Sequence, residues 1–186
     1  FGQGVILSEA EAELKALVEK SGIPAAWTIL GLSAMPTDHP LNVGMVGMHG
    51  NYGPNVLTNE CDVLIALGMR FDDRVTGNLA TYAKQAKVIH FEIDPAEVDK
   101  NVKTTVAVLA DLKESLTALL PLIEKNSHES WHNEFKEKYK IELEAVINDE
   151  LKPKKEGISM GETIEMINKH SKGDAIMVSD VGQHQM

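Results

Sequence analysis

One short segment collects most of the side chains that could bind a nucleotide. Residues 63–67 form the apolar run Val-Leu-Ile-Ala-Leu, and residues 68–77 continue as Gly-Met-Arg-Phe-Asp-Asp-Arg-Val-Thr-Gly. Arginine guanidinium groups bind phosphates, and carboxylates accept hydrogen bonds from hydroxyl groups. The segment therefore carries the polar groups that a nucleotide site needs. Taken alone, it is better explained as a salt-bridged turn on the protein surface.

The elements around this segment determine whether it can bind a ligand. Apolar runs predict strands near residues 1–6, 25–30, 63–67, 88–93 and 106–110, and helical patterns separate them. This alternation predicts an α/β fold, in which a parallel sheet carries helices on both faces. Right-handed crossovers bring the carboxyl ends of parallel strands to one edge of the sheet, where open α/β sheets bind ligands.

Three further polar residues have side chains that could serve a site. Glu92 lies near the end of the predicted strand 88–93, where a carboxylate can accept hydrogen bonds from ribose hydroxyls. Asp111 precedes an amphipathic helix, so capping alone would explain it. His49 has the chemistry of a general base, but with no nucleophilic partner in the pattern it is better explained as a loop histidine.

The amino-terminal residues predict a strand and a glycine turn. Gly2 and Gly4 begin a dinucleotide fingerprint, but Leu7 stands where its third glycine would be, so the fingerprint fails. Ser8 and Glu11 predict a capping box for a helix that ends near Lys20.

The remaining stretches predict loops, helices and a linker. Residues 31–48 are loop-like, a short helix follows to about residue 59, and helical spacing within 75–86 places Leu79, Tyr82 and Ala83 in the core. Pro95 after Asp94 predicts another helix start.

The carboxyl-terminal third differs in composition from the rest. Residues 128–150 are rich in Lys and Glu and predict a solvated helix, whose aromatic stripe of Trp131, Phe135 and Tyr139 is explained by packing. A helix at 160–170 and a strand at 175–178 follow a linker. The predicted division is a nucleotide-binding domain at 1–126, a charged helix and linker at 127–157, and the start of a second domain at 158–186.

The composition excludes several classes of function. The 186 residues carry a formal net charge of -10, with 43% hydrophobic and 25% charged residues. An acidic chain is a poor partner for nucleic acids and anionic membranes. A single cysteine, Cys61, allows no internal disulfide and no thiolate metal cluster. These features predict a cytoplasmic protein. The start at Phe1 and the stop after a strand-like run predict a piece of a longer protein.

Four segments resemble acetolactate synthase, a thiamine-diphosphate enzyme of branched-chain amino-acid synthesis. They are Gly-Met-His-Gly at 47–50, Arg-Phe-Asp-Asp-Arg-Val-Thr-Gly at 70–77, His-Phe-Glu-Ile-Asp at 90–94 and Val-Gly-Gln-His-Gln-Met at 181–186. The resemblance covers essentially the whole chain, and 70–77 is its most specific part. It implies the Rossmann-like central domain of the large catalytic subunit, followed by the start of the carboxyl-terminal domain.

The resemblance also implies a set of cofactor-binding residues. The positions implied to contact FAD are Gln3, Thr28, Ile29, Val46, Gly47, Met48, His49, Gly68, Met69, Arg70, Phe71, Asp72, Glu92, Ile93, Asp111 and Leu112. Gln3 departs from the family, where glycine is common. Gly182, Gln183 and His184 are implied to border the thiamine diphosphate. No catalytic residue and no metal ligand is implied within the chain, because the activating glutamate and the Mg²⁺ site belong to other domains.

The implied parent reaction condenses two pyruvates, or pyruvate and 2-ketobutyrate, with release of CO₂. FAD is required there without net redox change. The chain alone is expected to be inactive. Its expected partners are FAD and the other domains of the subunit, in a homodimer or tetramer that a regulatory small subunit can join. The alternatives are another flavin-using thiamine-diphosphate enzyme, the catabolic acetolactate synthase that lacks FAD, and a nucleotide-binding module without catalysis.

Overall fold

Parallel strands make up both sheets of the computed structural model, which describes residues 1–152, 156–178, 180 and 182. β1 (Ala25–Trp27) pairs with β2 (Asn42–Met45), and the second sheet has the order β3 (Val63–Leu67), β4 (Lys87–Glu92), β5 (Val106–Leu109). Every pairing is parallel. The predicted α/β class is confirmed.

Helices fill most of the connections between the strands. The α-helices are α1 (Gln3–Leu7), α2 (Glu11–Ser21), α3 (Tyr52–Thr58), α4 (Asp73–Thr76), α5 (Leu112–Leu119), α6 (Glu129–Glu142), α7 (Asn148–Leu151) and α8 (Met160–Ser171). Short 3₁₀ helices occupy Ile29–Gly31 and Leu120–Leu122, and a π-helical turn occupies Leu143–Ile147. Among the described residues, no helix combines the length and apolarity needed to cross a bilayer.

Side chains alternate between two cores across β3. Ile65 and Leu67 pack into the cluster that contains the buried residues of α2 and α5. Leu64 and Ala66 pack into a second cluster with Tyr82 and the residues after β3. Successive residues of a strand point to opposite faces, so β3 is covered on both sides, as its continuous apolar sequence predicts.

The predicted strand near residues 1–6 is wrong beyond Gly2, because Gln3 begins α1. Phe1 and Gly2 nevertheless hydrogen-bond to β1 and β3 in the manner of a strand. Ser8 does not cap α2. Its hydroxyl donates to the Gly4 carbonyl at 2.7 Å, and Ala10 occupies the N-cap position. Gly22 ends α2 in the left-handed conformation, close to the predicted end near Lys20.

The stretch 31–48 contains β2, which the sequence did not predict. β2 contains Gly44 at φ 109, and glycine normally argues against a strand. Side-chain amides shape this strand: the Gly44 N–H donates to Asn42 Oδ1 at 3.1 Å and the Met45 N–H donates to Asn51 Oδ1 at 2.9 Å. The predicted strand at 25–30 ends at Trp27, because a 3₁₀ turn begins at Ile29.

The connection between β3 and β4 is helical only at its start, in α4. Tyr82 and Ala83 are buried, as predicted from their spacing, whereas Leu79 is 38% exposed. The predicted helix after Asp94 is absent, and Asp94 Oδ1 instead accepts from the Ala96 N–H at 2.8 Å within a turn. Proline at a helix start also fits a turn, and local sequence does not separate the two.

The helix after β5 agrees with its prediction. Asp111 caps α5 by accepting from the Glu114 N–H at 3.1 Å, and Leu112 and Leu116 are buried. In α6, the rings of Trp131 and Phe135 meet edge to face at 5.7 Å. The packing explanation of the aromatic stripe holds for these two residues.

The chain divides into two compact units, Phe1–Lys136 and Glu137–Met186. The predicted domain boundaries at 126 and 157 remain predictions. In the second unit, Ser159 and Glu162 form the capping box of α8. The predicted strand at 175–178 is wrong, because the described residues of this unit contain no strand for it to pair with and Ile176 is 95% exposed. Gln183 and His184 lie outside the described residues, whereas Gly182 lies in a bend.

Candidate nucleotide site at the strand ends

The implied FAD residues of the first unit, Gln3 apart, follow the carboxyl ends of the strands. Thr28 and Ile29 follow β1; Val46, Gly47, Met48 and His49 follow β2; Gly68, Met69, Arg70, Phe71 and Asp72 follow β3; Glu92 and Ile93 end β4; Asp111 and Leu112 follow β5. Gln3 is exposed at the first position of α1. The structure therefore reproduces the predicted arrangement of loops at strand ends.

A cleft of about 170 Å³ brings together residues from three of these strand ends and from α1. Its lining consists of Gly4, Leu7, Ser8, Gly68, Phe91, Glu92, Ile93, Ala110, Asp111 and Leu112. Five of these were predicted site residues. The other five, Gly4, Leu7, Ser8, Phe91 and Ala110, were not. The place of the first three depends on how α1 packs across the sheet edge, and Phe91 and Ala110 are apolar neighbours of predicted residues at the strand ends.

Two glycines allow α1 to cross β3 at this cleft. The Gly4 N–H donates to the Gly68 carbonyl at 2.8 Å. A Cβ on Gly4 would lie 2.6 Å from Gly68 Cα, and a Cβ on Gly68 would lie 2.7 Å from Gly4 Cα. Gly68 also has φ +55, a conformation that favours glycine. The crossing leaves backbone, without side chains, at the floor of the cleft.

The Glu92 carboxylate is held in place at the cleft. Its Oε1 accepts from the Ile93 N–H at 2.9 Å and from the Asp94 N–H at 3.3 Å. Its Oε2 lies 3.7 Å from His90 Nε2, and the side chain is 11% exposed. An acceptor fixed in this way at a strand end suits a ligand hydroxyl.

His90 lies between Glu92 and the loop after β3, and the sequence did not predict a separate role for it. Its side chain is fully buried, and Nε2 lies 2.9 Å from the Met69 carbonyl. Its ring contacts the Phe71 ring edge to face, with centroids 5.0 Å apart. The signal in the sequence was a histidine inside an otherwise apolar strand. A buried histidine needs a partner, and here the partner is the loop after β3.

Asp111 lies on the cleft while it caps α5. One carboxylate oxygen accepts from the Glu114 N–H, as described above. The Leu112 side chain is 5% exposed and belongs to the core, so only its backbone faces a ligand. The two explanations of Asp111, helix cap and ligand contact, are compatible in this geometry.

The charged segment after β3 forms a salt-bridged turn. Arg70 Nε lies 3.4 Å from Asp72 Oδ2, and an Arg74 guanidinium nitrogen lies 3.4 Å from Asp73 Oδ2. Asp72 also caps α4 by accepting from the Arg74 and Val75 N–H groups. The side chains of Arg70 and Arg74 are 64% and 70% exposed, and neither lines the cleft.

Two predicted contact residues of this segment turn their side chains into the core. Met69 is 9% exposed and Phe71 is 4% exposed, and both belong to the second core cluster. A ligand can therefore meet them only through the backbone.

The loop after β2 packs against α4, away from the lining of the cleft. The Met48 N–H donates to the Arg74 carbonyl at 2.7 Å. Gly47 has φ +113, and a Cβ there would lie 2.7 Å from the same carbonyl. Val46 is half-buried and His49 is exposed. Met48 and, after β1, Ile29 present apolar side chains that are 61% and 53% exposed.

Parallel strands with a glycine crossing and a fixed carboxylate at their carboxyl ends form an α/β domain whose ligand-binding edge, in open sheets of this class, lies at those ends. Residues 1–119 match the family described as "Thiamine pyrophosphate enzyme, central domain". The chain belongs to this family.

Several curated relatives that the chain matches are named acetolactate synthases. The chain is 41% identical to the probable acetolactate synthase large subunit of Methanocaldococcus jannaschii and 44% identical to the acetolactate synthase large subunit of Lactococcus lactis; each match covers 100% of this chain and 32% of the relative. It is 38% identical to the chloroplastic acetolactate synthase 2 of Zea mays, over 94% of this chain and 27% of the relative. The chain spans about a third of the length of the curated relatives it matches.

Proposed function

We propose that this chain is the FAD-binding central domain of an acetolactate synthase large subunit. The observation that carries the proposal is the cleft in which Glu92, Asp111 and the Gly4–Gly68 crossing meet at the carboxyl edge of a parallel sheet. The relatives named acetolactate synthase support the choice of enzyme.

The cleft fits the nucleotide half of FAD. Gly4 and Gly68 line the cleft and carry no side chains, which allows close approach of a pyrophosphate or ribose to the backbone. Glu92 Oε2 is placed to accept from a ribose hydroxyl, while Asp111 and the Leu112 backbone meet the adenine end. At about 170 Å³, the cleft is smaller than the roughly 300 to 1,000 Å³ of a typical ligand pocket, so the rest of the cofactor lies along the open rim.

The rim suits the flavin half. Ile29 and Met48 offer exposed apolar surface for a ring system, and methionine makes soft contacts with aromatic rings. Thr28, Val46, Gly47, His49 and Gln3 complete this proposed contact set. The exposed guanidinium of Arg70 is available for phosphate, with Asp72 holding it near the loop.

The residues of this chain position the cofactor; they carry out none of the bond changes. When bound, FAD provides a flavin that the parent reaction needs without net redox change. The proposed parent joins pyruvate to a second 2-ketoacid on thiamine diphosphate, with Mg²⁺ and the activating glutamate supplied from outside this chain. Gly182, Gln183 and His184 are proposed to border the thiamine diphosphate. The proposal also includes a cytoplasmic location and a homodimeric or tetrameric parent that a regulatory small subunit can join.

A chimera tests the assignment in a complete enzyme. This chain would replace the matched 186 residues of the Lactococcus lactis relative. We expect the purified chimera to show flavin absorption bands and to form 2-acetolactate from pyruvate, whereas the chain alone, titrated with FAD, binds it without forming product. A folded chimera that makes product but contains no flavin after supplementation with FAD would contradict the cofactor assignment. Product formation by the chain alone would contradict its role as a positioning domain.

A further inference from the structure

The segment that follows β3, residues 69–72, continues beyond the hydrogen-bonded end of the sheet. The ladder with β4 ends at Gly68, whose N–H donates to the Phe91 carbonyl at 3.0 Å. Within a parallel strand, the N–H and C=O of one residue point to the same neighbouring strand. Gly68 has φ +55 and departs from this pattern, because its carbonyl accepts from the Gly4 N–H of α1. The backbone after Gly68 therefore needs other groups to hold it in place.

Two side chains hold alternate carbonyls of this segment. His90 Nε2 lies 2.9 Å from the Met69 carbonyl, and Asn101 Nδ2 donates to the Phe71 carbonyl at 2.6 Å. A carbonyl can only accept, so His90 Nε2 carries the proton of this hydrogen bond. His90 is fully buried in β4, and Asn101 lies in the connection between β4 and β5. Side chains thus take over from the β4 backbone as partners of the chain after β3.

These two hydrogen bonds determine which groups the segment presents outward. The peptide group is planar and trans, so each N–H points in the direction opposite to the preceding carbonyl. The N–H groups of Arg70 and Asp72 therefore point away from the side chains that hold the carbonyls before them. The side chains also alternate: those of Met69 and Phe71 are buried, whereas that of Arg70 is 64% exposed.

His90 also connects this segment to the fixed carboxylate of the cleft. Its Nε2 lies 3.7 Å from Glu92 Oε2, so one ring nitrogen faces both the Met69 carbonyl and the carboxylate. The other ring nitrogen, Nδ1, is buried and has no hydrogen-bond partner within the described part of the chain. The hydrogen bonding of this ring therefore depends on Nε2, on the side that faces the site.

We propose that His90 and Asn101 are positioning residues of the FAD site, because their hydrogen bonds to alternate carbonyls fix the backbone of residues 69–72. This inference rests on the proposed function, in which the outward groups of that segment contact the cofactor. Neither side chain lines the cleft, so both act through the segment that they hold. A binding site keeps its geometry only when the groups behind its contact residues are themselves fixed.

Two replacements of His90 separate hydrogen bonding from packing. His90→Phe keeps an aromatic ring against Phe71, 5.0 Å away in the unaltered chain, but removes the donor. His90→Gln gives up the ring and places an amide N–H near the position of Nε2. We expect His90→Phe to weaken FAD binding by about tenfold or more and His90→Gln by no more than about threefold, because only the first leaves the Met69 carbonyl without a donor. A role in packing alone predicts the reverse order.

His132→Phe is the matched control. His132 Nε2 lies 2.9 Å from the Gly22 carbonyl, which is the same kind of contact at the same distance. Gly22 follows α2 and precedes β1, so this contact lies before the amino end of a strand and outside the proposed site. His132→Phe should lower the midpoint of thermal unfolding and leave FAD affinity within about twofold of the unaltered chain. Fluorescence titration with FAD, below the unfolding midpoint of each variant, measures all three affinities.

Asn101 provides a second test at an exposed side chain. Asn101→Leu keeps the size of the side chain and the net charge but removes the donor to the Phe71 carbonyl, so FAD affinity should fall by about 3- to 10-fold. If His90→Phe does not fold, this variant and the unaltered chain decide. Heteronuclear NMR of the unaltered chain should show the His90 proton on Nε2.

Three results would overturn the positioning role while leaving the proposed function intact. They are unchanged FAD affinity in His90→Phe or Asn101→Leu, tighter binding of FAD by His90→Phe than by His90→Gln, and a loss of affinity in His132→Phe equal to that in His90→Phe. A His90 ring without a proton on Nε2 would overturn it whether or not FAD binds. Absence of FAD binding by the unaltered chain would contradict the proposed function itself, and the positioning role with it.

Discussion

The two sheets present their strand ends to a ligand in different ways. Beyond β3, β4 and β5, the candidate residues line a cleft, and its polar groups are fixed by hydrogen bonds from the Ile93, Asp94 and Glu114 N–H groups. Beyond β1 and β2, the exposed candidates are the apolar Ile29 and Met48 and the polar His49, and none of them lines the cleft. In the proposed function, the first edge holds hydrogen-bond acceptors for hydroxyl groups in fixed places, and the second offers apolar surface for a flat ring.

The largest expected effect concerns the glycine crossing at the first edge. Gly68→Ala should lower the free energy of unfolding by about 2 to 4 kcal/mol, because it combines an unfavourable φ with a backbone clash against Gly4. Gly77→Ala is the matched control. Gly77 has φ +56 with nothing within 4 Å of its Cβ position, so Gly77→Ala lacks the clash and should cost less, about 1 to 2 kcal/mol. Urea unfolding measures both, and equal losses would mean that the crossing is not close-packed.

Glu92 tests the first edge through its affinity for FAD, not through the stability of the fold. Glu92→Gln should weaken FAD binding by about 10- to 100-fold, since a hydrogen bond to a charged group contributes about 1.5 to 3 kcal/mol. Glu97→Gln is the control, because the Glu97 carboxylate pairs with Lys100 at 2.6 Å and does not line the cleft. Fluorescence titration with FAD measures both variants. An equal loss of FAD affinity in Glu97→Gln would mean that the effect of Glu92→Gln does not come from a contact in the site.

Met48 tests the second edge. Met48→Ala should reduce FAD affinity by only about 3- to 10-fold, because it removes apolar contact surface and leaves every polar contact in place. Its side chain is 61% exposed, so the thermal unfolding midpoint should hardly change. Leu122→Ala, at a side chain 78% exposed and outside the proposed site, controls for loss of surface methylenes. If Met48→Ala reduced FAD affinity as much as Glu92→Gln does, the first edge would not contribute more to FAD binding than the second.

The same contrast explains what the sequence could predict. β3 has a local signal, a five-residue apolar run, and the structure contains this strand. The helix α5 also has one, a capping residue before an amphipathic stretch, and the structure contains this helix. β2 lacked such a signal because Gly44 and two asparagine side chains shape it through contacts that sequence periodicity does not record. The failure at Ser8 has a similar cause. Its hydroxyl bonds back to Gly4, and the tight crossing of α1 over Gly68 determines where α2 begins.

For the candidate site, the positions were predictable and the orientations were not. Parallel topology requires loops at one edge, so Glu92, Gly68 and Asp111 could be placed together from strand order alone. Met69 and Phe71 follow the same strand, yet their side chains pack into the core with His90. Which side of a loop faces the ligand depends on long-range packing that a single sequence does not specify.

The smallest expected effect lies at the opposite edge of the sheet, in the turn before β5. Asp99 accepts from the Thr104 N–H at 2.7 Å and from its hydroxyl at 2.8 Å, and these hydrogen bonds lower the pKa of Asp99 below its ordinary value of 3.8. A carboxylate whose pKa is lower in the folded state stabilises the fold above its unfolded pKa, and that contribution is lost as pH falls from 3.8 through the folded value. Asp99→Asn removes the titration and keeps a residue that tolerates φ +58.

The midpoint of thermal unfolding should therefore fall slightly less between pH 5 and pH 2 for Asp99→Asn than for the unaltered chain. FAD affinity at neutral pH should be the same for both, because Asp99 lies away from the strand-end edge. A change in that affinity would mean that the two edges of the sheet are coupled, and the difference between the cleft and the apolar rim could then no longer be assigned to local geometry alone.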